Sequence, residues 1–388
     1  MVRRLIIAAG LVLTLPQAVL CQVEWQLSSA PLWSIGEEAA PSPKVFHDVR
    51  GALLIGDTLV VVADGSSHHL RIFDRDGGFV RSFGDYGDGP GEFRRIAWIG
   101  MCGGATVVVY DELRWRVTKW SLQGQLLADF PIEGAGDGRP PYSVSCGPDG
   151  RYAVTGWPDI EAASATVGPY RPGVSVSVAG VSGHTEKAIG TFPGPERYRF
   201  PTNDGPRRLG RTTIVRMDRH AVYVGTGDST FIHILRADGS QARLIKREER
   251  IRLTSSMLDR YKAWVVARQP PDFRPAARRA LDAMEFPDFL PAYDDFRIDD
   301  SGHVWVARYA LPNDHALQPA VWDVFDRGGS QVAIVRLPSH FTLASIGEDY
   351  LLGVSTDPLD IERVTLYGLA RGGRQPAHPH SHTGPEAR

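Results

Sequence analysis

The chain has 388 residues, of which 43 are basic and 45 acidic, for a formal net charge of −2. So balanced a total gives no whole-chain attraction to nucleic acid. The 43% hydrophobic share is ample for a packed core, and 41 Gly and 28 Pro spread along the chain suit many short strands joined by turns, in two or three ordinary domains or one large all-β domain.

The N-terminus has the three parts of an export signal: Arg3 and Arg4, an apolar run from Leu5 to Leu15, and a cleavage region from Pro16 to Cys21. The run is too short for a membrane span. Removing residues 1–21 takes away two positive charges and moves the net charge from −2 to about −4. Ala18-Val19-Leu20-Cys21 loosely resembles a lipobox, but Leu20 stands where a small residue is usual. The expectation is a periplasmic or secreted protein, with lipid anchoring through Cys21 as the alternative.

The stretch from Asp57 to Phe93 reads as a complete four-stranded antiparallel unit. Leu59 to Ala63 is a first strand, and a second alternates around Leu70, Arg71, Ile72 and Phe73. Asp76-Gly77 is a hairpin turn signal, because Gly accepts the positive φ such turns need. Phe79 to Phe83 returns, and a Gly-rich segment crosses to the next unit. Later turn glycines align with Gly77: Gly124, Gly183, Gly239 and Gly329. Each follows an alternating strand (Val117 to Trp120, Val176 to Ala179, Ile232 to Leu235, Trp322 to Phe325). Each is preceded by an apolar run read as an inner strand (Thr106 to Tyr110, Tyr152 to Thr155, Ala221 to Gly225, Val304 to Ala307). A sixth run, Tyr350 to Gly353, is followed by Val364 to Tyr367. Units of this reach are what four-stranded propeller blades use.

The sixth unit lacks a strand, and Leu32 to Gly36 resembles the closing strand Val80 to Gly84. The N-terminal strand is therefore expected to complete the last sheet and remove two open edges. Cys102 and Cys146 precede equivalent strands in adjacent units. Equivalent places in neighbouring units can lie beyond the roughly 7 Å Cα reach of a bridge, so two buried free thiols are expected.

Between the fourth and fifth units, residues 254–293 depart from the strand pattern. Thr254-Ser255 is a helix start, Met257, Leu258, Tyr261, Trp264 and Val265 recur at helical spacing, and Pro270-Pro271 stops that helix. A second helix is expected from Pro275 to Met284. Residues 372–388 have no apolar pattern and are expected to be a disordered tail, its His378, His380 and His382 included.

LRIFDRDGGFVRSFGDYGDGPGEF and, at Phe296 to Arg308, FRIDDSGHVWVAR resemble the NHL-type repeat, and the chain is similar to exported bacterial six-bladed β-propellers of that group. The resemblance implies an all-β, six-bladed ring over residues 22–371 with a central channel. It implies no single activity, since the fold hosts lyases, lactonases and plain binding modules.

With the apolar runs taken as innermost, the Gly77-type turns, the Gly89 to Phe93 loop, the long crossing from Phe192 to Thr213 and the helical insertion share one face. That face is rich in Arg94, Tyr198, Arg199, Arg211, Arg274 and Tyr293, whose guanidinium forks and rings suit anions, sugars or peptides. The same arginines can equally pair with local acids such as Glu196, Asp204, Asp294 and Asp295. At the other mouth, Asp64, Asp111 and Arg308 follow the apolar runs and could gather near the axis, or cap their own turns. No nucleophile, phosphate-loop or zinc spacing occurs. His68-His69 read as loop residues, and Trp115, Trp120, Trp305 and Trp322 as packing within strands. The expectation is a monomeric, non-catalytic binding module without cofactor or metal, recognising an extracytoplasmic protein, peptide or glycan. The alternative is a metal-dependent lactonase- or lyase-like enzyme working at the channel.

Overall fold

A computed structural model describes residues 23–38, 42–56, 58–104, 106–135, 138–160, 166–236, 238–245, 250–315 and 318–372. The export signal, Cys21 and the histidine tail lie outside the described residues. Within them the chain is all-β, built from four-stranded antiparallel sheets taken in chain order.

Sheet I is Val49–Ile55, Leu59–Asp64, His69–Asp74 and Phe79–Phe83. Sheet II is Ile96–Met101, Val107–Asp111, Arg116–Trp120 and Leu126–Pro131. Sheet III is Pro141–Cys146, Tyr152–Gly156, Gly173–Ala179 and Thr185–Pro193. Sheet IV is Ile214–Met217, Ala221–Gly225, Phe231–Arg236 and Gln241–Ile245. Sheet V is Phe296–Ile298, Val304–Ala307, Val321–Phe325 and Gln331–Arg336. Sheet VI is Phe341–Ile346, Tyr350–Thr356 and Glu362–Ala370. Its outer edge pairs with the N-terminal segment: Trp33, Ser34 and Ile35 lie opposite Leu366, Thr365 and Val364, and Gln26 and Leu27 opposite Ala370 and Leu369.

Burial follows strand position. The second strands of sheets II, III and IV are buried at every residue, whereas Phe79–Phe83, a fourth strand, is exposed along most of its length. A near-continuous apolar run is what a strand covered on both faces requires. The turn glycines Gly77, Gly124, Gly183, Gly239 and Gly329 all have φ between 78° and 89°. At the first of these turns the Asp74 carboxylate accepts the amides of Asp76 and Gly78, and Asp326 repeats the arrangement with Gly328 and Ser330. Asp at the head of such a turn satisfies donors the tight bend leaves unpaired.

The apolar runs are the second strand of each sheet, not the innermost. Asp57 to Phe93 is accordingly three strands of sheet I; the first, Val49–Ile55, lies upstream with only modest apolar alternation. The first strands are the axial ones: residues from all six line one common cavity. Every loop moves with this correction. First-to-second and third-to-fourth turns, including the Gly77 type, lie on one face. Second-to-third turns, sheet-to-sheet crossings and the helical insertion lie on the other, the crossing face.

Convergence of the first strands also overturns the free-thiol expectation. Cys102 and Cys146 form a disulfide with Cα atoms 5.9 Å apart. They sit at the ends of axial strands, where neighbouring sheets are closest, instead of farther out where equivalent positions diverge.

Apolar clusters join successive sheets. Val61, Leu70 and Ile72 of sheet I meet Ile96, Val107 and Trp120 of sheet II. Similar clusters join II to III, III to IV and IV to V. Trp305, Trp322 and Val324 of sheet V meet Leu343, Leu351 and Leu369 of sheet VI with Trp25. Val60, Val62 and Phe73 of sheet I meet Leu352, Val364 and Ile35.

Trp120 and Trp322 are buried core residues, but Trp115 is not: it has φ 52° in the turn after Val107–Asp111 and is 47% exposed. Trp305 is fully buried and donates Nε1–H to Asp299 at 3.1 Å. Trp305→Ala is expected to cost about 3–5 kcal/mol through the cavity it leaves. Denaturant titration checks this, and an unchanged midpoint would place the ring outside the core.

Candidate functional site

Two helices form the insertion. Helix α1, Ser255–Ala267, starts at Thr254, whose hydroxyl accepts the Met257 amide. Such a cap satisfies one of the free N–H groups of the first turn. Helix α2, Arg274–Ala283, follows the Pro270-Pro271 stop and buries Leu281. The crossing from sheet III to sheet IV carries two further strands, Arg197–Arg199 and Asp204–Pro206, which with Gly168–Tyr170 make a small three-stranded sheet. Leu209 of that crossing, Tyr261 and Val265 of α1, Leu281 of α2 and Leu311 from the second-to-third turn of sheet V share one buried cluster. The insertion and small sheet are thus one layer on the crossing face. No apolar periodicity marks three-residue strands, which is why the small sheet is not legible in the sequence.

The six ring and guanidinium groups expected to bind a ligand here are largely engaged within the protein. Arg211 pairs with Glu196 through both Nε and Nη2. Arg207 lies 3.6 Å from the same carboxylate. Arg199 sits 3.7 Å from Asp204 and stacks its guanidinium over Tyr170 at 4.9 Å. Arg94 pairs with Asp88 and covers the Tyr86 ring at 4.8 Å. Arg274 donates to the Gln269 and Ala267 carbonyls at the end of α1, at 3.1 and 3.3 Å. Tyr198 is buried and donates to the Ala283 carbonyl, and buried Tyr293 accepts the Gly227 amide at 3.1 Å. Burial, more than its neighbours, raises the Tyr293 hydroxyl to about 12.

Asp64, Asp111 and Arg308 do not gather at the axis. They end second strands, one strand out from it, and lie on the crossing face with the arginines. Asp64 is fully buried, accepts both the Ser66 and Ser67 hydroxyls at 2.9 Å and pairs with Arg71 at 2.9 Å. Asp111 accepts the backbone amides of Arg94, Arg95, Leu113 and Arg114. Arg308 pairs with buried Asp323 at 2.8 Å. The carboxylates close their own turns, as Asp does when its oxygens meet nearby amides. His68 packs against Tyr86, with ring centroids 4.9 Å apart.

The axial cavity holds chemistry outside the expected set. Arg216 and Arg297, on the first strands of sheets IV and V, line it with Ser145, Ser345 and Asp300. These first strands carry weaker apolar patterns than the second strands, and so did not stand out. The signal that could have found them is the arginine inside each of two short apolar segments, TTIVRM and DFRI.

No protein-family model matches the chain. A Bacteroides fragilis protein named as exported, of solved structure, aligns with 90% of this chain and 96% of its own at 10% identity and a TM-score of 0.50. A member of the duf4221 family from Bacteroides vulgatus aligns with 90% of this chain and 98% of its own at 10% identity and a TM-score of 0.53. Over 74 residues the chain is 35% identical to the RING finger protein nhl-1 of Caenorhabditis elegans, a match covering 19% of this chain and 8% of that protein. The sheet arrangement and these likenesses support a β-propeller fold. No helix among the described residues is long and apolar enough to cross a membrane.

The arginine pairs make the crossing face sensitive to acid. Burial alone would raise the Glu196 carboxyl, but the hydrogen bonds and charge of Arg211, with Arg207, hold it below its ordinary value. Burial also opposes charge on Asp204 and Asp228, but the Tyr170 hydroxyl and Arg197 lower the first, and the Thr226 hydroxyl and Arg171 the second. A carboxyl lowered in the folded state stabilises the fold above its unfolded pKa, about 4, and that contribution is lost as pH falls through the folded value. The melting temperature is expected to fall as pH drops below about 4. At neutral pH, Arg211→Gln is expected to cost about 3 kcal/mol, the low end for unpairing a buried carboxylate, because Arg207 remains. Melting curves of both proteins from neutral pH to pH 3 check this; equal stability at neutral pH would show the pair to be a surface contact.

Proposed function

We propose that the chain is an exported, six-bladed β-propeller of the NHL-like kind, closed by its N-terminal strand. It acts as a monomeric, non-catalytic binding module that holds a protein, peptide or glycan on its crossing face. Export rests on the signal pattern of residues 1–21 and agrees with the name of the Bacteroides fragilis neighbour. Closure rests on the pairing of Trp33–Ile35 with the last sheet and on the cluster joining sheets VI and I.

The observation that carries the binding reading is where the exposed large apolar side chains fall. Tyr86, Leu113, Trp115, Trp157, Phe273 and Leu359 are each 42–76% exposed and all belong to crossings, second-to-third turns or the insertion. Among the turns of the opposite face, only Val181 is comparably exposed within the described residues. Exposed aromatics of this kind serve as anchors for peptide and glycan partners. With the arginines held in internal pairs, the aromatics replace them as the proposed contact residues. Arg94, whose ion pair with Asp88 is solvent-exposed, stays among them. The metal-dependent alternative needs several convergent ligands. No three His, Cys, Asp or Glu side chains suited to that role group together among the described residues.

Trp115→Ala with Trp157→Ala is expected to abolish capture of partner from a cell-envelope extract and binding on a glycan array, with an unchanged melting temperature. Undiminished capture by the folded double variant would overturn the crossing-face reading. Deleting residues 23–36 is expected to bare the edge of Glu362–Ala370, lower stability and cause self-association visible by light scattering. A monomeric truncation of unaltered stability would rule out closure by this strand.

A further inference from the structure

The cavity on the axis has a volume of about 270 Å³ and opens among the ends of the first strands, away from the crossing face. Its lining combines apolar side chains, Leu53, Trp98, Met101, Ile298 and Ile346 among them, with a larger share of polar surface. Two guanidinium groups from neighbouring sheets enter it, and both hold one carboxylate. Arg216 donates from Nη2 to Asp295 Oδ1 at 2.9 Å, and Arg297 from Nε to Oδ2 at 2.8 Å. Burial disfavours charge on Asp295, but Arg297 and Arg216 keep its carboxyl below the ordinary range. The three groups therefore sum to one positive charge.

Unpaired donors remain on residues that line the cavity. Arg216 Nε has no hydrogen-bond partner, and the terminal nitrogens of Arg297 make no hydrogen bond among the described residues. Ser145 is 6% exposed and its hydroxyl is unpartnered, as is that of Ser345. Unpaired buried donors each cost on the order of 1–3 kcal/mol, so several on the residues around one cavity fit an occupant that brings acceptor oxygens. We infer that the axial cavity binds a small monocarboxylate with an apolar body. The carboxylate sits between Arg216, Arg297 and the two serines, and the body lies against the apolar side chains of the lining. A single negative charge balances these three groups and a phosphate dianion exceeds it; Asp300 lines the same cavity, and burial and the nearby Asp299 charge raise its carboxyl. The guanidinium fork matches a planar carboxylate. This site is separate from the crossing face and does not depend on it.

Isothermal titration of the whole mature protein with benzoate, phenylacetate and hexanoate, each beside its neutral amide and beside inorganic phosphate, tests this. At least one carboxylate is expected to bind saturably while its amide and phosphate do not. Arg297→Gln is expected to weaken that binding by about tenfold to a hundredfold, and Ser145→Ala to weaken it to a smaller extent. Trp115→Ala is expected to leave it unchanged. Absence of saturable binding by all three carboxylates, equal binding of an amide, preferred binding of phosphate, or full affinity in folded Arg297→Gln and Ser145→Ala would overturn the inference. Because Ser145→Ala removes one hydroxyl and no charge, it keeps the test open if the arginine variant does not fold.

Discussion

Burial of the second strands on both faces dictates how the sheets stack. Val107–Asp111 or Ala221–Gly225 cannot lose contact with water within one four-stranded sheet, which covers neither of its own faces. Each sheet needs a neighbour on either side, and the clusters pass this requirement along the chain from I to VI. Sheet VI meets it by packing on sheet I through Leu352, Val364 and Ile35. Its last strand, Glu362–Ala370, would otherwise be a bare edge, and takes Trp33–Ile35 and Gln26–Leu27 as partners from the far end of the chain. Trp25, seated against Trp305 with ring centroids 5.6 Å apart, fastens the same N-terminal segment to sheet V.

From that arrangement the two faces acquire different chemistry. Crossings have room to grow because they need not close a tight hairpin, and two of them hold the small sheet and the helical insertion. Charges brought by those additions are neutralised in place: Arg211 with Glu196, Arg197 with Asp204, Arg171 with Asp228. These pairs hold irregular backbone in position, work that a regular sheet does with its ladder of hydrogen bonds. The axis is the reverse case. There the first strands converge too closely for bulky additions, and Arg216, Arg297 and the two serines face one confined space. A guanidinium in such a place interacts more strongly with an anion than one on a solvated rim.

Much of the local structure was legible. Gly77, Gly124, Gly183, Gly239 and Gly329 mark their turns because only Gly takes a φ near 80° without strain. The helix start at Thr254 and the Pro270-Pro271 stop bound α1 as expected. The candidate site was far less legible. The most hydrophobic segments point by themselves to the axis, yet greatest burial belongs to the strand with a packed neighbour on each side, one place out from it. That single displacement put Asp64, Asp111 and Arg308 at the wrong position and the Gly77-type turns on the wrong face. It also hid the closeness of Cys102 and Cys146.

Local behaviour is written in the residues themselves: strands alternating with turns in a repeated unit, a helical interruption near residue 254, and an N-terminal strand alike to those that close other sheets. Those features follow from periodicity and backbone preference, which a chain carries residue by residue. Which strand faces the axis, which acid each arginine meets, and which polar groups remain without a partner emerge when the sheets pack. These are settled by contacts between sheets distant in sequence, where packing on both faces outweighs the hydrophobicity of any one segment.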